Sequence, residues 1–204
     1  LYCIDESMLL KIKKILDYSL KYYDNYEDNH FIISTCLKEL LQNSLKANHK
    51  RLFFKKNNLD IHNQQDYQKG MKHFKKTLKK KLWPQYNKLA KEQNLYVQVI
   101  FQFENDGITL EVSNNSNINT FDIKKIKNKI SQFSKSKTFI DFYQNFHDNS
   151  EGEGLGLALI LNLLKGNNIS YKHFKMSFSP KKSKSSIKFP VTKISNPVES
   201  YHDE

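Results

Sequence analysis

Several things are scarce in this chain of 204 residues, and each scarcity removes a class of protein. There are two cysteines, Cys3 and Cys36, too few for a disulfide scaffold or a four-ligand zinc site. The cytosol is the simplest redox compartment for that usage. The longest apolar run, near Leu155 to Leu164, is far short of the roughly 20 residues that span a membrane. No basic-then-apolar leader precedes a small-residue cleavage site, so the expectation is a soluble, cytoplasmic chain. The seven histidines, His30, His49, His62, His73, His147, His173 and His202, are scattered without metal spacing. No internal repeat is visible. The first residue is Leu rather than Met, which is compatible with a segment of a longer protein.

Acidic residues are the minority: 33 Lys+Arg against 21 Asp+Glu give 33 − 21 = +12. A balance of this size suggests nucleic acid, an anionic membrane or a polyphosphate as partner. Residues 51–100 hold twelve Lys+Arg and three Asp+Glu, a local 12 − 3 = +9, so most of the excess sits in one stretch. Lys, Asn and Ile richness is otherwise chain-wide and reads as genome composition. A nucleic-acid binder would rest on charge alone and is not favoured. Apolar residues make up 38% of the chain, enough in patterned stretches to bury a core despite a mean hydropathy of −0.69.

Ser7 to Tyr23 carries Met8, Leu9, Ile12, Ile15, Leu16 and Leu20 at helical spacing. A second helix is expected from Phe31 to Asn48, with Ile32, Leu37, Leu40, Leu41 and Leu45 apolar. Arg51 to Phe54 reads as a short edge strand and Lys55 to Gln68 as a loop. Met71, Phe74, Leu78 and Leu82 mark a basic amphipathic helix that Pro84 stops or kinks, read as a solvated helix packed by one face. Leu95 to Phe103 alternates, Asn105-Asp106-Gly107 turns, and Ile108, Leu110 and Val112 resume the alternation, which predicts a β-hairpin. Asn119 to Ser150 is polar, with Ile123, Ile126 and Ile130 suggesting one short helix. Leu157 to Leu164 is an apolar helix, and Ile169 to Phe174, Lys175 to Ser179 and Ser185 to Val191 alternate as strands. The order implies an α+β, two-layer sandwich of a mixed, mostly antiparallel sheet with helices on one face.

Two constellations carry chemistry. Gly152, Gly154 and Gly156 end a polar loop and open a helix, where backbone N–H groups and the helix N-terminus can approach a phosphate; a hinge or a close helix–sheet contact would use the same pattern. Glu39, Asn43 and Lys46 stand at i, i+4 and i+7 and share one face. A carboxylate can activate a water or hydroxyl, an amide oxygen can ligate Mg²⁺, and an ammonium can touch phosphate oxygens; taken alone, that face also reads as a solvated polar surface.

In this order the pieces resemble the GHKL family of ATP-binding domains, the Bergerat fold shared by histidine kinases, gyrase-type ATPases, chaperone ATPases and anti-sigma serine kinases. Leu37-Lys38-Glu39-Leu40-Leu41-Gln42-Asn43-Ser44-Leu45-Lys46-Ala47 looks like the N box. Gly152-Glu153-Gly154-Leu155-Gly156-Leu157-Ala158 looks like the glycine box, and Ser177 to Pro180 through Ile187 to Pro190 looks like the closing hairpin. The resemblance spans about residues 31–192, preceded by a packing or linker helix in 1–30 and followed by a flexible tail at 193–204. It implies ATP and Mg²⁺ as ligands, Glu39 as the general base or its orienting residue, Asn43 on Mg²⁺, and Lys46 near the phosphates. Gly152, Gly154, Leu155 and Gly156 would hold phosphates through their backbone. It also implies an ATP lid over about 119–150 with Phe142 and Phe146 as anchors, and Ser183 beside the adenine.

The chain departs from the pattern twice. The central box reads Val112-Ser113-Asn114-Asn115-Ser116-Asn117-Ile118, so Asn114 replaces the family's adenine-binding Asp and its glycines are absent. Loss of that charge could cost about 1–3 kcal/mol. Residues 55–94 form a basic helical insertion longer than the family's usual connection. The function implied is a Mg²⁺-dependent ATP-binding signalling module that hydrolyses ATP or phosphorylates a partner protein. The alternative is a non-catalytic nucleotide sensor or protein-interaction module working through the insertion. A homodimer is compatible with either.

Overall fold

The protein is described by a computed structural model covering residues 1–3, 6–79, 83–136 and 155–194. Leu82, the lid residues from 137 onward with Phe142 and Phe146, Gly152 and Gly154, and the tail from residue 195 lie outside the described residues. The helices are α1 Glu6–Leu20, α2 Tyr26–Lys56, α3 Gln64–Lys79, α4 Trp83–Glu92, α5 Thr120–Lys135 and α6 Leu155–Gly166. The strands are β1 Val97–Glu104, β2 Gly107–Asn114, β3 Phe174–Ser179 and β4 Lys182–Phe189, with a 3₁₀ turn at Tyr171–His173.

The strands form one sheet in the order β1-β2-β4-β3, antiparallel throughout the described residues. The fold is a two-layer α+β sandwich. Alternation explains its inner face: Ile108, Leu110 and Val112 of β2 and Ile187 and Phe189 of β4 are all buried. They join Ile33 and Leu41 of α2 and Ile160, Leu161 and Leu164 of α6 in one cluster. Each such side chain contributes about 2 kcal/mol by leaving water. The outer face is polar, with Gln98, Gln102 and Lys175 exposed and Lys184 paired to Glu111 at 2.7 Å. α1 adds Leu16 and Leu20 to the same core, so it packs. Lys193 and Ile194 are also held: Lys193 N donates to Asn105 O at 3.0 Å and Ile194 N to Tyr22 O at 2.8 Å. No helix among the described residues is long and apolar enough to cross a membrane.

The main difference from expectation is the length of α2. Arg51 to Phe54 is not a strand; the helix continues to Lys56 because α3 and α4 wrap its C-terminal half. Leu52, Phe53 and Phe54 are buried there with Tyr67, Met71, Phe74, Tyr86 and Ala90 in a second cluster. Three consecutive apolar residues read as a strand only when one element covers them. Lys55 to Gln68 is partly helical, since α3 starts at Gln64, and α3 packs by its Met71–Phe74 face with Lys69, Lys72 and Lys76 exposed. Pro84 sits in the first turn of α4, where its missing N–H costs nothing. Asparagine does the work usually given to glycine at three helix ends. Asn58, Asn94 and Asn168 have φ of 51, 51 and 58°, and the next residues, Leu59, Leu95 and Ile169, donate back to Phe54, Ala90 and Leu164 carbonyls.

Two outcomes follow for the second cluster. A Cβ on Gly70 would lie 2.7 Å from Phe54 Cε1, so Gly70→Ala should cost about 1–3 kcal/mol in urea denaturation. His49 is buried, its Nε2 2.9 Å from Asn87 Oδ1, and burial pushes its pKa down to about 4 despite that hydrogen bond. The unfolded imidazole protonates near pH 6.5, so stability present above that pH falls as pH drops toward 4. Denaturation as a function of pH should show this slope flattened in His49→Gln.

Candidate functional site

The inner face of the sheet changes character along its length. From Ile108-Leu110-Val112 it runs on to Asn114, and from Phe189-Ile187 to Ser185 and Ser183. That polar end floors a cavity of about 370 Å³ whose walls include Leu40, Asn43, Ser44 and Lys46 of α2, Ile126 of α5, and Leu157 and Ile160 of α6. Asn43, Lys46, Asn114 and Ser183 therefore meet at one cavity, although they lie far apart in sequence. Asn114 and Ser183 are direct cross-strand partners.

Gly156 lies in the first turn of α6 and faces α2. A Cβ would collide with the Glu39 carboxylate and stand 3.2 Å from Asn43 Nδ2. The Gly156 backbone thus lies against the Glu39 and Asn43 side chains of α2. Leu155 opens α6, whose first-turn N–H groups have no partner within the helix. Glu39 is half-buried and Asn43 exposed. The Glu39 charge also reaches Cys36, whose thiol is pushed up to about 12 by burial first and by Glu39 second, leaving it inert.

Asn114 is buried, and its amide nitrogen donates to Ser44 O and to Asn48 Oδ1, both at 2.8 Å. Two acceptors on α2 fix the orientation of this amide, so its carbonyl oxygen is the group left for a ligand. Asn48 Oδ1 also receives Ser116 Oγ and Arg51, and Arg51 donates to the Asn117 carbonyl. The segment from Asn114 to Asn117 is held by these α2 side chains.

Asp122 was not singled out by the sequence. It sits in the first turn of α5, whose N-cap Asn119 accepts from Asp122 N at 2.8 Å and donates to Asp122 Oδ2 at 2.5 Å. Lys50 pairs with Oδ2, and Tyr67 Oη donates to Oδ1 at 2.6 Å. Burial alone would raise this carboxyl, but the Lys50 charge and the three donors hold it below its ordinary value. The readable signal was the capping pattern Asn119-Thr120-Phe121-Asp122. The segment 120–135, expected mainly as lid, is a full helix with Phe133 in the core.

No family model matches the chain, and no solved structure matches it. Among curated proteins, an uncharacterized protein of Treponema pallidum (strain Nichols) is 35% identical over 133 residues, 65% of this chain. The chain spans about a quarter of that relative's length, 26%.

Asp122→Asn should destabilise the protein by about 3 kcal/mol, because it removes the carboxylate charge on which Lys50, Tyr67 and Asn119 converge. The Asp122 contribution is present above its unfolded pKa near 4 and is lost as pH falls through the lower folded value. Acid titration of stability should therefore be less steep in the variant.

Proposed function

We propose that the chain is a Mg²⁺-dependent ATP-binding domain of GHKL type that hydrolyses ATP or transfers its γ-phosphate to a partner protein. The observation that carries this reading is the packing of Gly156 against Glu39 and Asn43. It joins the end of the glycine box to the N box, beside a cavity that also holds Asn114 and Ser183.

The residues fit the ligand. Asn114 Oδ1 would accept from an exocyclic amine, with Ser183 Oγ next to it and Val112, Ile126, Leu157 and Ile160 offering apolar surface to a purine. Lys46 and the α6 N-terminus would face the phosphate chain. Asn43 would hold Mg²⁺ through its amide oxygen; that ion supplies charge neutralisation on the phosphate oxygens. Glu39, which stands against Gly156, would accept the proton of an attacking water or serine hydroxyl.

A second reading is favoured by one feature. Asn114 is neutral, so the base is held without the charge of the family's carboxylate, which suits a nucleotide sensor that does not turn over.

Calorimetric titration with ATP in the presence and absence of Mg²⁺ tests both readings. Mg²⁺-dependent binding that Asn43→Ala weakens tenfold or more is expected. Glu39→Ala should retain binding while losing phosphate release. Turnover unchanged in Glu39→Ala would sink its role as base, and binding with no turnover in the unmodified chain would select the sensor.

A further inference from the structure

Seven large apolar side chains are exposed among the described residues, and four of them, Leu9, Leu10, Ile15 and Tyr18, lie on α1. Scattered singly, such residues are ordinary; gathered on one short helix they mark a contact surface. The core does not account for them. Helix α1 turns Leu16 and Leu20 inward, whereas Leu10, Ile15 and Tyr18, 54, 54 and 65% exposed, point away from that side. Exposed Lys11 and Lys14 stand among them, and Lys21 follows, its Nζ 4.4 Å from the centre of the Tyr18 ring and 5.2 Å from that of Tyr22. From Ser7 to Tyr23 the one carboxylate is Asp17. It is turned toward α2, where it lies 2.9 Å from His30 Nε2 and accepts from Tyr26 Oη at 3.4 Å. The outward face therefore alternates apolar bodies with lysines and carries no acid. Such a face matches the boundary of an anionic bilayer, where Leu and Ile enter the acyl region, Tyr sits at headgroup level and Lys reaches the phosphates. A second copy fits worse, because a two-fold contact would set the lysine row against itself.

We propose that the outward face of α1 is a peripheral membrane-binding surface for a bilayer containing anionic phospholipid. The helix lies on the bilayer, since no helix among the described residues is long and apolar enough to cross it. No α1 residue lines the cavity, so lipid binding is separate from the nucleotide reading. Vesicle co-sedimentation tests it. Vesicles of phosphatidylcholine with about a third phosphatidylserine should bind the chain tenfold or more better than phosphatidylcholine alone. Ile15→Gln with Tyr18→Gln should lower that binding tenfold or more at unchanged net charge, and Lys11→Gln with Lys14→Gln should remove most of the preference for phosphatidylserine. Because a net charge of +12 attracts anionic vesicles by itself, the control is Lys72→Gln with Lys76→Gln on the exposed side of α3, which should change binding less than threefold. Circular dichroism checks the fold of each variant; all six positions are surface sites, and glutamine keeps the helical propensity. Absence of vesicle binding overturns the assignment, as does binding that survives the Ile15, Tyr18 variant or falls as far in the α3 control as in the α1 lysine variant. A dimer in size-exclusion chromatography that the Ile15, Tyr18 variant dissolves, with vesicle binding intact, would give the face to a second copy and overturn it too.

Discussion

The structure depends on α2 being buried from two directions. Its N-terminal half lies on the sheet and α6, contributing Ile32, Ile33, Leu37 and Leu41 to the main core, and its C-terminal half is enclosed by α3 and α4 through Leu52, Phe53 and Phe54. A helix wetted on one side would need only one apolar stripe. Here the polar residues left between two apolar surfaces, Glu39, Asn43, Ser44, Asn48 and Lys50, are the ones that meet Gly156, Asn114 and Asp122. Site and fold are therefore the same constraint: moving α2 by one turn, about 5.4 Å, would break all three contacts at once.

The segment after β2 is held by side chains of α2. An Asp at 114 would place carboxylate oxygens against the Ser44 carbonyl and Asn48 Oδ1, two acceptors facing an acceptor. An amide nitrogen donates to both. Arg51 reaches the Asn117 carbonyl and holds the segment after β2 from outside. The asparagines that end α2, α4 and α6 follow the same logic in a chain that holds only six glycines.

Much of the fold could be read from periodicity. The 97–114 hairpin, the apolar helix after residue 155 and the α+β class follow from alternation, helical spacing and turn residues. The meeting of Asn43, Lys46, Asn114 and Ser183 at one cavity was legible only through the family resemblance, because no local pattern encodes a contact between positions so far apart. What stayed hidden was tertiary. Arg51 to Phe54 looks like a strand until α3 and α4 are in place to cover both Phe53 and Phe54. Asp122, Tyr67 and Lys50 form a cluster across three elements, and each alone is an ordinary surface residue type.

The most direct test of the central claim is a heteronuclear NMR titration of the labelled chain with Mg²⁺ and a non-hydrolysable ATP analogue. The expected result is that the backbone amide of Gly156 and the side-chain amides of Asn43 and Asn114 shift together, with one dissociation constant. Shifts confined to exposed lysine-rich surfaces, with those three groups unmoved at millimolar analogue, would contradict it.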